Sequence, residues 1–419
     1  MKQLHKRFTD EQVKEFIKRY LHEEIERHYL ETLLGVKTRQ IWNLVKKYRQ
    51  SPATFSLKDS RITPPRSLDP ATERNMLKEL ALDQQLIANK AVPLYHYNYS
   101  YIKERLLSQY HQTVSVPTII DRAKKHNFYI KRQRKKQVHD RQVLTSYAGE
   151  LIQHDASLHL FAPAAQKQWW LITSLDDYSR YILYARLVAS QTAHSHIQGL
   201  EAVFIKYGLP YSYYVDSHSI FRFVQYPDSV WRTHRTLTDE VDPQWKQVLN
   251  DCSVKVIYAL SPQAKGKIER PYGWLQDHLV RTCARNNIAD LKQAQQILNR
   301  EVYAYNHKRI HSTTEEIPFL RFSTALDNKQ SLFRNFSIPA PFQSLKDIFC
   351  LRTHRTVDGY RNISLNNLRF PVPKALPGDT LNLRIYPLNS FVSELRIWKH
   401  TSLLDVRKIK NTDLKGVHF

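Results

Sequence analysis

The sequence predicts a multidomain α/β protein: a mixed-sheet core with helix-turn-helix domains on its N-terminal side and a small β-barrel on its C-terminal side. Three observations predict it. Between residues 142 and 320 the patterns run strand, strand, strand, helix, strand, helix, strand, helix, an antiparallel meander continued by strand–helix alternation. Ahead of that region apolar residues recur at helical spacing between capping signals. Behind it, short alternating runs are separated by turn dipeptides. Charge divides the same way. Residues 1–141 carry 29 Lys and Arg against 15 Asp and Glu, residues 142–320 carry 18 against 17, and residues 321–419 carry 16 against 7. The net charge of +24 therefore sits on two flanks around a near-neutral middle. Cationic flanks suit the phosphates of double-stranded DNA, with affinity that falls as salt rises; an acidic protein surface is the other partner such charge fits.

Residues 1–50 read as a helix-turn-helix DNA-binding domain. Thr9 and Gln12 have capping-box spacing, and Val13, Phe16 and Ile17 follow at helical intervals. A second helix covers Glu24 to Leu33, and Gly35 is free to take the positive φ of a tight turn. A third runs from Lys37 to Arg49, with Ile41, Leu44 and Val45 inward. Thr38, Arg39, Gln40, Asn43 and Lys47 are left outward, where such side chains read base edges in the major groove. A plain three-helix bundle with a solvated basic face shows the same pattern. Residues 51–68, with Pro52, Pro64 and Pro65, read as a linker. Residues 69–141 read as a second, winged helix-turn-helix with a basic linker. Asp69-Pro70 starts one helix, Tyr101 to Tyr110 is another, Ser115 caps Val116 to His126, and Phe128 to Ile130 is a candidate wing. Lys131, Arg132, Arg134, Lys135 and Lys136 then form a run suited either to tracking a phosphate backbone or to lying in solvent.

The core places three acids at informative positions. Asp155 lies in an alternating strand, Asp216 ends the strand pattern Tyr211-Ser-Tyr-Tyr-Val-Asp216, and Glu269 stands in the first turns of a long helix. Strand, strand end and helix can bring three carboxylates to one point. Hard cations such as Mg²⁺ take oxygen ligands, and two of them about 4 Å apart can activate an attacking oxygen and stabilise a leaving oxygen of a phosphodiester. Lys265, Lys267 and Arg270 surround Glu269, so this stretch is either a phosphate-holding patch beside a ligand or a solvated ion-pair face. Asp176 and Asp177 fall where strands reverse and read as turn residues. His154, His159 and His218 adjoin the acids, but without a cysteine partner they do not make a zinc site.

Gln153-His-Asp-Ala-Ser157, Asp216-Ser-His-Ser-Ile-Phe-Arg222 and Ser261-Pro-Gln-Ala-Lys-Gly-Lys-Ile-Glu-Arg270 resemble the three signature blocks of the ISNCY-type insertion-sequence transposases, a family similar to the retroviral integrases. Tyr305-Asn-His-Lys-Arg-Ile-His311 extends the resemblance, which covers about residues 145–320. It implies an RNase H-like catalytic core over residues 142–320, with Asp155, Asp216 and Glu269 as a DDE triad. It also implies two Mg²⁺ ions per site, with Mn²⁺ as substitute. The activity implied is cleavage of transposon ends to 3′-OH groups, which are then joined to target DNA by at least a dimer. A nuclease of the same fold that does not join, and a non-catalytic DNA-binding regulator, are the alternatives. The stretch from Arg222 to Asp242 is longer than in compact integrases. Within it Trp231, Arg232 and Arg235 are candidates for holding the transposon tip, or belong to a solvent loop.

A further helix over residues 289–306 packs on the sheet, residues 321–345 read as a linker, and residues 346–419 read as a small SH3-like β-barrel. Cys252, Cys283 and Cys350 are too scattered for a zinc finger or a disulfide framework. A reducing cytoplasm is the compartment such cysteines suit, and no apolar run approaches the roughly 18 residues of a membrane span.

Overall fold

A computed structural model of the chain describes residues 4, 7–57, 68–131, 145–216, 220–221, 243–259, 266–366 and 368–414; the side chains of residues 266, 267, 269 and 270 are outside the described set. The chain divides into two compact units, Met1–Arg74 and Asn75–Phe419.

The first unit is built on α1 (Asp10–Leu21), α2 (Arg27–Leu34) and α3 (Thr38–Gln50). The reciprocal cap forms at α1: Gln12 N donates to Thr9 Oγ1 at 3.2 Å, and Thr9 N donates to Gln12 Oε1 at 2.9 Å. Gly35 ends α2 at φ +61°, a left-handed conformation that a side chain would oppose. Val13, Ile17, Leu30, Leu34, Ile41 and Val45 interlock as the core. The expected linker differs in its first residues, because residues 51–57 fold back on these helices. Phe55 completes the core and meets Tyr48 edge-on at 5.9 Å. Leu57 N donates to Asp10 Oδ1 at 2.8 Å.

In the second unit, α4 (Pro70–Ala88), α5 (Tyr99–Tyr110) and α6 (Val116–Lys125) precede the sheet. Asn98 and Ser115 cap α5 and α6. Residues 128–130 form no strand, so the wing is absent there; Phe128 instead packs on Tyr97 and its carbonyl accepts from Tyr99 Oη at 3.0 Å.

The sheet holds β1 (Leu151–His159), β2 (Trp169–Asp176), β3 (Ile182–Val188), β4 (Ser212–Val215) and β5 (Lys255–Tyr258), in the order β3-β2-β1-β4-β5. The first three are antiparallel neighbours, and β4 and β5 run parallel to β1. This is the mixed sheet expected from the strand order. One face carries α7 (Ala193–Tyr207) and α8 (Gln244–Asp251), over a core of Ile152, Val203, Phe204, Tyr213 and Trp245. The other carries α9 (Gly266–Arg285) and α10 (Leu291–Lys308), over Leu171, Leu175, Leu187, Leu275 and Leu298.

α9 is tied to the preceding helices by buried ions. Arg281, with no solvent exposure, donates to Asp83 Oδ2 at 2.5 Å, to Asp277 Oδ2 at 2.9 Å and to the His96 carbonyl. Arg285 pairs with Glu79 and Asp83, and Tyr101 Oη and Thr282 Oγ1 share a hydrogen bond of 3.0 Å.

Residues 321–345 are not a free linker. α11 (Pro318–Asp327) buries Phe322 and Ala325 in the α7-side core, and single bridges join Ser331 to Ala148 and Arg334 to Leu209. Gly149 and Gly208 permit this strap: a Cβ on Gly208 would come within 2.4 Å of the Arg334 carbonyl oxygen. Beyond α11, Phe333, Phe336 and Phe342 are partly buried and pack against that core at spacings that no regular element produces.

After α12 (Leu345–Ile348) come β6 (Leu351–Thr356), β7 (Asn362–Leu365), β8 (Leu368–Pro371), β9 (Thr380–Pro387), β10 (Val392–Lys399) and β11 (Ser402–Lys410). They pair as a four-stranded sheet, β11-β10-β9-β6, and a β7-β8 hairpin around one core. The domain's first strand begins at Leu351, after the short helix α12. Asp347 is buried, accepting from Arg396 Nε at 2.5 Å and Trp398 Nε1 at 2.9 Å, which anchors α12 on this domain.

Candidate active site

β1 sorts its side chains by strand alternation. His154 points to the α7–α8 face, stacked on Trp245 with centroids 5.7 Å apart and hydrogen-bonded to Ser174 Oγ at 2.9 Å and His196 Nδ1 at 2.8 Å. It is a core histidine. Asp155 and Ser157 share the α9 face, where Gln276 Nε2 donates to Ser157 Oγ at 2.7 Å.

The parallel ladder sets Asp216 next to Asp155. Leu151 pairs with Ser212, Ile152 with Tyr213 and Gln153 with Tyr214; the same register carried two residues further makes Asp155 and Asp216 neighbours. Adjacent strands are about 5 Å apart. Both aspartates are half-buried. On β2, Thr173 is directly opposite Asp155.

Tyr272 of α9 reports on both acids. Its phenol is buried, and burial first, then the charges of Asp155 and Asp216, hold it well above the usual tyrosine range, while the Thr173 hydroxyl acts the other way. Glu269 belongs to the first turn of α9, three residues before Tyr272 and so on the same helix face; its side chain is outside the described set. Among the described residues no three His, Cys, Asp or Glu side chains converge. A hard divalent cation fits what is described. The donors are oxygens, and two buried hydroxyls, Thr173 Oγ1 and Tyr272 Oη, are weakly bonded to each other and have no other hydrogen-bond partner among the described residues.

Asp176 and Asp177 are buried turn anchors rather than ligands. Asp176 accepts from Gly149 N and Ser179 N, each at 2.9 Å, and Asp177 accepts from Gln153 Nε2 at 2.5 Å and Arg180 at 3.0 Å. His159 is half-buried, edge-on to Phe161 at 5.4 Å. His218, Trp231, Arg232, Arg235 and Lys265 lie outside the described residues, as do the side chains of Lys267 and Arg270.

Of the outward set on α3, Arg39, Gln40 and Asn43 are exposed and Thr38 is half-buried. Lys47 is a correction: it is half-buried, and its Nζ donates to the Ser56 carbonyl at 2.6 Å, so it folds toward the returning chain. Sequence reading passed over Trp42, which is 53% exposed between Arg39 and Lys46. Its signal was position, at i+3 from Arg39 on a helix without acids. Lys131 is exposed; Arg132, Arg134, Lys135 and Lys136 lie outside the described residues.

No family model matches the chain. It is 25% identical over 257 residues to "Putative transposase y4bF" of Sinorhizobium fredii (strain NBRC 101917 / NGR234), covering 61% of this chain and 51% of that protein. It is 29% identical over 188 residues to "Transposase for insertion sequence IS1202" of Streptococcus pneumoniae, covering 44% and 38%. The chain is thus similar in sequence to proteins named as transposases, one of them of an insertion sequence. It spans about half the length, or less, of these curated relatives. Among solved structures it is similar to the HTLV-2 integrase catalytic core domain in complex with magnesium, with a TM-score of 0.32 and 13% identity over 42% of this chain and 97% of that one. It is also similar to a chain of the simian T-cell lymphotropic virus intasome in complex with PP2A regulatory subunit B56 gamma, with a TM-score of 0.34 and 11% identity over 73% and 95%.

Proposed function

We propose that this chain is a DDE transposase with an RNase H-like core, which cleaves the ends of an insertion sequence and joins them to target DNA. The observation that supports the reading is the β1–β4 register, which, continued two residues past its last pair, would bring Asp155 beside Asp216 on a sheet crossed by the helix bearing Glu269. Those three side chains would hold Mg²⁺, or Mn²⁺ in its place, two ions to a site. The bound ions would supply Lewis-acid stabilisation of charge on the phosphodiester oxygens. The chain's own task is positioning. Lys265, Lys267 and Arg270 would hold phosphates beside Glu269, Arg39, Gln40 and Asn43 of α3 would meet base edges, and the basic run from Lys131 would follow the backbone. Trp231, Arg232 and Arg235 would contact the transposon tip, and the C-terminal β domain, read as SH3-like, would add a second basic surface. Bringing two ends together requires at least a dimer on DNA. A cytoplasmic location accords with this work; no described helix is long and apolar enough to cross a membrane.

The test is Asp155→Asn, Asp216→Asn and Glu269→Gln, each assayed with transposon-end DNA, target DNA and Mg²⁺ or Mn²⁺. Each is expected to lose cleavage and joining by at least a thousandfold while retaining end binding. Undiminished cleavage by Asp155→Asn sinks the assignment. Cut but never joined products from the parent chain would make it a nuclease instead.

A further inference from the structure

We propose that the Tyr272 hydroxyl, with that of Thr173 beside it, positions the Asp155 and Asp216 carboxylates to receive a divalent cation. This rests on the reading of those acids as ligands. Thr173 is the cross-strand partner of Asp155, so the two side chains leave the same face of the sheet with Cβ atoms about 5 Å apart. Tyr272 lies one turn from Gln276, which is fixed to Ser157 two residues beyond Asp155 on the same strand face. That crossing of α9 over β1 brings Tyr272 to the sheet face from which Asp155 projects. Both hydroxyl oxygens are shut away from water, and the weak side-chain hydrogen bond between them leaves one of the two donors without a partner among the described residues.

Native interiors keep few such groups, because a buried donor left unpaired is costly. A phenol and an alcohol beside two carboxylates have an obvious acceptor in a carboxylate oxygen. When a cation takes one oxygen of a carboxylate, the other turns outward to a donor, and donors of this kind hold the ligand in its coordinating orientation. Tyr272 and Thr173 would thus be positioning residues, holding the ligands and not the reacting phosphate. Their place on α9 and β2 gives the metal ligands support from two elements that carry neither aspartate.

Tyr272→Phe and Thr173→Val each remove a hydroxyl at nearly constant shape. In the full-length chain, free Mn²⁺ is measured by electron paramagnetic resonance during titration, and the melting temperature is followed with and without Mn²⁺. Tyr272→Phe is expected to weaken Mn²⁺ binding about tenfold and to shrink the Mn²⁺-induced rise in melting temperature. The metal-free melting temperature should be unchanged or raised, because an orphaned donor has gone. Thr173→Val should act in the same direction. A structural role alone would lower the metal-free melting temperature and leave Mn²⁺ affinity as it was. Parent-like Mn²⁺ affinity in both variants overturns the proposal. Asp155→Asn separates the two levels: if it binds Mn²⁺ as the parent does, the ligand reading itself fails; if it does not, and Tyr272→Phe does, only the positioning role fails.

Discussion

Asp176 ends β2 fully buried, with three donors from Gly149 and Ser179 around it. Burial outweighs those hydrogen bonds and pushes its carboxyl up from 3.8 to about 6. The folded chain therefore holds a proton that the unfolded chain has released between about pH 4 and pH 6. Stability from this group is greatest below the unfolded value and falls as pH rises through the folded one, by at most about 1.4 kcal/mol per pH unit. Asp176→Asn is expected to flatten that section of a urea-denaturation profile taken at pH 4 to 6.5; an unchanged slope would mean the carboxyl is already ionised there. The pair Asp176-Asp177 was legible as a turn, because Asp at a strand reversal is a local signal. Its burial was not legible, since Gly149 and Gln153 reach it from a different strand. His154 was opaque in the same way: its stack on Trp245 joins residues far apart in sequence.

Two helices repay attention at the next scale. α9 is held by Arg281, whose partners Asp83 and Asp277 would be left charged in its absence. Arg281→Met is expected to cost about 3–5 kcal/mol, read as a lowered urea midpoint. α3 exposes Arg39, Trp42, Asn43, Lys46 and Arg49 along one stripe and has no acidic residue. If that stripe meets DNA, Trp42→Ala should weaken binding about tenfold without changing the slope of affinity against salt, because indole carries no charge. Arg39→Gln should reduce that slope by about one if the guanidinium contacts a phosphate. Regular elements were largely readable: periodicity gave α1 to α10 and the five core strands, though not α11 or α12. The strap of residues 321–345 was not, because Phe322, Phe333 and Phe336 serve the core from a helix and an irregular path. For the candidate site, the strand positions of Asp155 and Asp216 were readable, but the parallel pairing of β1 with β4 that leads toward them is one that no local pattern encodes. Tyr272 was missed because only the crossing of α9 over β1 brings it there.

Taken whole, a chain of net charge +24 should bind DNA of any sequence with strong salt dependence. Between 50 and 200 mM salt the loss is expected to be on the order of a thousandfold if six or more phosphates are neutralised, measurable by fluorescence anisotropy. A chain beginning at Leu68, which omits the α1–α3 unit, should lose preference for transposon ends over random DNA yet keep Mn²⁺ affinity. Equal preference in both chains would assign end recognition to the second unit. The pairing of Arg281 with Asp83 spans 198 residues of sequence, and this bears on synthesis. As the chain leaves the ribosome, Glu79 soon meets Arg105, but Asp83 emerges long before Arg281 and Arg285, which neutralise it. Helix α4 must stay hydrated, or be shielded by a chaperone, until α9 has been translated. Nascent chains arrested before Arg281 should therefore be far more open to protease around residues 75–110 than chains released after Arg285.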